Sequence, residues 1–124
     1  MKLYICNALA MGMLDREVQD RPLSDGGPRC PRPITREQAR EYCLKAWPEV
    51  IPAVGHSDTA WIIAGLMDLP IEKVHARTTV RLQGGPQDPW DRLELALIGA
   101  YTGPRLPERC IVLPEGAAIE WWLV

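Results

Sequence analysis

No apolar run in this 124-residue chain approaches the ~18 residues that a membrane-spanning helix requires. The opening "MKLYICNALAMGML" lacks the length of a signal h-region and a cleavage site, so the sequence is read as that of a cytoplasmic protein. C-x-x-C spacing is missing as well. The four cysteines, Cys6, Cys30, Cys43 and Cys110, therefore read as reduced and mostly buried, and a zinc site would have to join His56 or His75 to scattered thiols. There is no excess of positive charge: the net charge of -2 argues against duplex nucleic acid as a partner, although a small charged ligand in a local basic pocket is compatible with it. The chain has no acidic cluster of the magnesium-binding kind, no P-loop, no G-x-S-x-G, no H-E-x-x-H and no internal repeat.

What is present is ordinary for a globular domain. With 47% hydrophobic and 24% charged residues in 124 positions, the chain has room for one core, so residues 1–124 are expected to form a single domain. "KLYICNAL" alternates Leu3 and Ile5 against Tyr4 and Cys6 and predicts a first strand ending at Asn7. Prolines and glycines crowd Arg21 to Pro33, which predicts a loop. Thr35 with Gln38 three residues on forms a capping-box pattern, and Ala39, Tyr42, Cys43 and Ala46 follow at helical spacing until Pro48. "VIPAV" predicts a short strand leading into Gly55-His56, and Ile62, Ile63, Leu66 and Met67 stripe a second helix that stops before Pro70.

From Val74 to Leu82 the alternation predicts a further strand, with Val74, Ala76, Thr78, Val80 and Leu82 on one face and His75, Arg77, Thr79 and Arg81 on a solvated outer face. "QGGPQDPWD" reads as a turn, "RLELALIGAY" as a buried strand or a helix start, and "AIEWWLV" as a closing strand. The sum is an α/β or α+β domain with a mixed sheet of about five strands flanked by helices.

The chemistry centres on "AVGHSDTAWIIAGLM", Ala53 to Met67, where a histidine stands at a strand-to-helix turn. A helix N-terminus offers unpaired amides and the positive end of the macrodipole, so the amides near Ser57, Asp58 and Thr59 suit a phosphate. The dipole disfavours imidazolium in an empty site and a bound phosphodiester favours it, so ligand binding would itself load the proton on a general acid at His56. Without a metal, the reaction that fits is RNA cleavage by its own 2′-hydroxyl, in which the protein positions the nucleophile, stabilises the phosphorane and protonates the departing 5′-oxygen. The two-histidine phosphodiesterase pattern, paired H-x-[ST], is not met: His56 is followed by Ser57-Asp58 and His75 by Ala76-Arg77.

Three blocks, in order, resemble one family. "YICNALAMGML" is similar to its opening strand ending in Asn-Ala, "AVGHSDTAWIIAGL" to its Gly-His helix start, and "PRLPE" to its Arg-Leu-x-Glu segment; an aromatic C-terminal strand is similar too. The family is that of the viral type III anti-CRISPR ring nucleases, with relatives in archaeal viruses, phages and bacterial mobile elements. The resemblance implies a homodimer, with no cofactor and no metal, that binds cyclic tetra-adenylate and cuts it to linear di-adenylates carrying a 2′,3′-cyclic phosphate. It implies His56 as general acid, Arg105 as the group steadying the phosphate and Glu108 as the residue orienting His56 or the arginine. Ligand contacts would come from Asn7, from Ser57, Asp58 and Thr59, from Lys73 or Arg77, and from Tyr101, with Tyr101 or Trp61 able to stack on adenine. This chain departs from the pattern at Ala10, Asp58 and Tyr101, which motivates a second expectation, a sponge or sensor that holds a cyclic nucleotide without cutting it.

Overall fold

A computed structural model describes residues 1–8, 31–82, 93–103 and 112–124. Among these, five strands form one mixed sheet: β1 (Lys2–Cys6), β2 (Arg32–Ile34), β3 (Val50–Pro52), β4 (Glu94–Thr102) and β5 (Ala118–Leu123). Two helices, α1 (Arg36–Ala46) and α2 (Ser57–Met67), and a single 3₁₀ turn at Ile71–Lys73 complete the described elements. The spatial order is β2-β5-β4-β1-β3. β1 runs parallel to both β3 and β4, while β5 is antiparallel to β4 and to β2. The fold is thus an α/β single domain with a five-strand mixed sheet.

Strand alternation sorts the side chains onto two faces. Leu3 and Ile5 of β1, Leu95 and Leu97 of β4, and Trp121 and Leu123 of β5 face the helices, where they meet Ala39, Cys43 and Ala46 of α1 and Ala60, Ile63, Ala64 and Met67 of α2. The opposite face carries Tyr4, Cys6, Ala96, Ile98 and Trp122, covered by Val80 and Leu82. β4 is therefore buried on both sides, which is why "ELALIGAYT" is an almost unbroken apolar run and why it resolves as a strand. The sheet and α2 approach closely at Gly99, where a Cβ would lie 2.8 Å from Trp121 Cζ3 and 3.1 Å from Ile63 Cδ1.

The helix limits follow local chemistry. The Thr35 hydroxyl accepts from the Gln38 amide at 3.1 Å while Gln38 Oε1 accepts from the Thr35 amide at 2.9 Å, the reciprocal capping box that the sequence predicts. α2 ends at Asp68, which adopts the left-handed conformation (φ 55°), with the Leu69 amide donating back to the Ala64 carbonyl at 2.9 Å.

Two expectations need correction. Arg32 and Pro33 end the stretch read as loop, yet with Ile34 they form β2, pairing antiparallel with the last strand, Pro33 opposite Trp122. Proline fits there because β2 is an edge strand, and the same holds for Pro52 in the other edge strand, β3. The segment from Val74 to Leu82 buries Val74, Val80 and Leu82 and exposes His75, Arg77, Thr79 and Arg81, as alternation requires. Among the described residues, however, it joins the sheet only through a parallel bridge between Val54 and His75. Thr78 is exposed, against expectation: residues 76–81 form no strand, so strict alternation does not set which way its side chain faces.

Candidate functional site

β1, β3 and β4 are parallel, so their carboxyl ends share one edge of the sheet, the position at which open α/β sheets place ligands. Asn7 follows β1 directly and is half-buried; Gly55 and His56 follow β3. Cys6, the residue before Asn7, supplies no nucleophile: burial pushes its thiol up to about 12, leaving it protonated and inert. Cys43 is buried, free and raised to about 12 for the same reason. Cys30 and Cys110 lie outside the described residues.

His56 is the N-cap of α2. Its backbone is extended (φ -93°, ψ 117°) and its carbonyl accepts the first helical bond from the Ala60 amide at 3.0 Å. Its side chain makes no capping hydrogen bond, so the imidazole, on an exposed residue, is not spent on holding the helix end. The amides of Ser57, Asp58 and Thr59 are those of the first turn, which have no intrahelical acceptor. Ser57 is exposed, Asp58 half-buried and Thr59 buried. Trp61, one turn further along the same helix face as Ser57, is exposed.

The structure separates the two basic residues that sequence left as alternatives. Lys73 donates from Nζ to the Pro48 carbonyl at 3.1 Å and stands 5.7 Å from the centre of the Trp47 ring, at the amino end of β3 and away from His56. Arg77 packs against the turn itself: a Cβ placed on Gly55 would lie 3.6 Å from Arg77 Cγ. The segment that carries Arg77 is clamped to the β3 extension by Val54 N–H to Val74 O (2.9 Å) and Ala76 N–H to Val54 O (3.1 Å). That clamp brings in a residue the sequence reading had set on a solvated face. His75 lies opposite Val54, and its Nδ1 is 2.9 Å from the Val54 carbonyl.

Tyr101 sits near the carboxyl end of β4, half-buried and paired with Ile119, its hydroxyl 3.4 Å from the Cβ position of Gly103. β1 stands between β4 and β3, so Tyr101 is about 10 Å across the sheet from the strand that leads to His56. The structure therefore groups Asn7, His56, Ser57, Asp58, Thr59 and Arg77 at one end, with Tyr101 two strands over and Lys73 at the other end. Arg105, Glu108 and Ala10 lie outside the described residues.

Two cavities lie away from this group. One of about 640 Å³ is bordered by Ile34, Arg36, Leu66, Ile119 and Trp121, and one of about 500 Å³ by Arg40, Leu44, Trp47, Met67 and Pro70. At the His56 turn, His56, Ser57 and Arg77 are all exposed. Among the described residues, no three His, Cys, Asp or Glu side chains come together as a metal site, and no helix is long and apolar enough to cross a membrane.

The chain is an α/β single domain that sets an exposed imidazole beside the first-turn amides of α2 at this end of the sheet. The chain matches no protein-family model, and no curated protein or solved structure is significantly similar to it.

Proposed function

We propose that this protein is a metal-independent ring nuclease that, as a homodimer, binds cyclic tetra-adenylate and cleaves it to linear di-adenylates with 2′,3′-cyclic phosphate ends, shutting off type III CRISPR signalling. The observation that carries the reading is the His56 turn: an exposed imidazole not used as a cap, first-turn amides beside it, and the Arg77 stem against Gly55. These are the parts that 2′-hydroxyl attack needs from a protein, namely a proton donor for the 5′-oxygen and positive partial charge around the phosphorane. Support from sequence is confined to three short ordered blocks and the aromatic final strand.

In this reading His56 protonates the leaving 5′-oxygen and the amides of Ser57 to Thr59 take phosphate oxygens. Arg77, rather than Lys73, supplies the basic contact from this part of the chain, and Asn7 touches the ligand from the neighbouring strand. Arg105 and Glu108 keep the roles that the resemblance implies. Trp61 offers an exposed ring for an adenine. A homodimer suits this ligand, since a twofold axis presents the same patch twice to a ring of four equivalent nucleotides.

One observation favours the second reading, a non-catalytic sponge. Asp58 is half-buried in the first turn of α2, where its carboxylate competes with a phosphate for the same positive potential. Incubation with cyclic tetra-adenylate in excess EDTA, with products resolved by chromatography and mass detection, separates the two. Linear di-adenylate with a cyclic phosphate, abolished in His56→Ala but with ring binding retained, supports the enzyme. An intact ring recovered from a tight complex supports the sponge, and an intact ring with no binding refutes both.

A further inference from the structure

We infer that His75 is a second catalytic histidine, the general base that takes the 2′-hydroxyl proton in the cleavage assigned above; the inference rests on that reading of the site. Sequence spacing gives no reason to pair the two histidines, which are separated by a whole helix and a 3₁₀ turn. The fold brings them together. The chain leaves β3, passes Val54, and reaches His56 two residues later, while the returning segment sets His75 directly opposite Val54. A strand separation of ~4.8 Å and a rise of ~3.3 Å per residue put the two histidine Cα atoms about 8 Å apart. Arg77, two residues beyond His75, lies against Gly55, between Val54 and His56 in the chain. Two exposed imidazoles and a guanidinium stem thus surround one turn.

The hydrogen bond of His75 defines its protonation pattern. The Val54 carbonyl can only accept, so Nδ1, 2.9 Å away, carries the hydrogen. In the neutral ring Nε2 then holds the lone pair, which is the form a base requires, and the carbonyl fixes the ring's orientation as a carbonyl or carboxylate partner does for other functional histidines. The same carbonyl also accepts from the Ala76 amide at 3.1 Å, so the anchor is itself held in the bridge. His56 has no such bond at the helix cap, as suits a donor that gives up its proton during the reaction.

The step balances. Nε2 of His75 accepts the 2′-hydroxyl proton as the 2′-oxygen bonds to phosphorus; the bond from phosphorus to the 5′-oxygen breaks; and His56 gives its proton to that oxygen. The products are a 2′,3′-cyclic phosphate and a 5′-hydroxyl, and the two histidines exchange protonation states with no other reactant consumed.

The test uses full-length protein, cyclic tetra-adenylate in EDTA, and single-turnover rates. His75→Asn keeps a donor at the position of Nδ1 and removes Nε2. It is expected to fold and bind the ring as wild type does and to cleave about 100-fold or more slowly, the lower range of what a positioned base contributes. His75→Ala supplies the second readout, because added imidazole should restore part of its rate. Cleavage by folded His75→Asn at the wild-type rate, with His56→Ala inactive, overturns this inference and leaves the reading of the site standing. So does a folded His75→Ala that is slow but gains nothing from imidazole. A wild-type protein that leaves the ring intact overturns the ring-nuclease reading and this inference with it.

Discussion

Gly99 lies near the centre of β4 where the sheet meets α2, and an added methyl group there would collide with the packed interior. A Cβ there would stand 2.8 Å from Trp121 Cζ3, 3.1 Å from Ile63 Cδ1 and 3.3 Å from Ile63 Cγ1, against the ~3.5–4.0 Å of unstrained carbon contacts. Neither neighbour can yield easily: Trp121 is 5% exposed and Ile63 0%. Alanine at this site must push α2 off the sheet or drive the tryptophan off its rotamer, which costs about 1–3 kcal/mol for overpacking of this kind. For a domain of this size that is a fall in Tm of roughly 4–12 °C. Gly55→Ala is the matched comparison. There the new methyl meets only Arg77 Cγ at 3.6 Å, an ordinary contact, and the unfolded chain loses entropy, so stability should hold or rise by a few tenths to about 1 kcal/mol. Urea unfolding followed by tryptophan fluorescence, with near-ultraviolet circular dichroism for the Trp121 environment, measures both. Equal stability of Gly99→Ala and wild type, with an unchanged Trp121 signal, would refute the packing of α2 on β4 that positions the His56 turn.

Two further predictions use the contrasts described above. Arg77→Ala should weaken ring binding by about tenfold or more, as loss of a charge-assisted contact of ~1.5–3 kcal/mol implies, with little change in Tm, while Lys73→Ala should leave binding alone; isothermal titration with cyclic tetra-adenylate checks both, and equal losses would overturn the separation of the two residues. Alkaline pH should destabilise the fold through Cys6 and Cys43. Burial raises both thiols from 9.0 to about 12, so their contribution is fully present below pH 9 and is lost as pH rises toward 12. With both protonated in the folded chain and ionised in the unfolded one, stability falls by up to about 2.7 kcal/mol per pH unit in that window. Melting curves at pH 8 to 10.5 on wild type and on Cys6→Ala/Cys43→Ala, which should show a shallower slope, test it.

How far the sequence carries depends on whether each element is determined locally. α1 is fixed by its own residues, since Thr35 and Gln38 satisfy each other's amides three residues apart, and the pattern is readable without any tertiary information. β1 is legible because one side of Leu3 and Ile5 and the other of Tyr4 and Cys6 face different packing layers. β2 is not legible: its three residues include Pro33, and what makes them a strand is the backbone of Trp121 to Leu123 at the far end of the chain. The apolar run of β4 is ambiguous alone and becomes a strand only because parallel β1 and antiparallel β5 flank it.

The candidate site divides along the same line. His56 is visible in sequence because a glycine, a histidine and a polar triplet before an apolar stripe mark a helix start, and the structure places it there as the N-cap. The choice between Lys73 and Arg77 is beyond sequence, because four residues of spacing cannot say which end of β3 each side chain reaches. The Pro48 carbonyl holds Lys73 at the amino end of β3, and Arg77 lies against Gly55 at the other end; which of them meets a ligand belongs to the proposal. His75 is the deeper case. Alternation assigns it to the outer face of a strand, and it is indeed exposed; nothing in "VHARTTV" announces that its ring bonds the carbonyl at the mouth of the His56 turn. A single parallel bridge, Val54 to His75, does what sequence spacing cannot, since it converts twenty intervening residues into one strand separation. If that bridge serves the site, weakening it without touching either imidazole should slow cleavage. Val54→Pro tests this by removing the amide that donates to the Val74 carbonyl while leaving the Val54 carbonyl for His75.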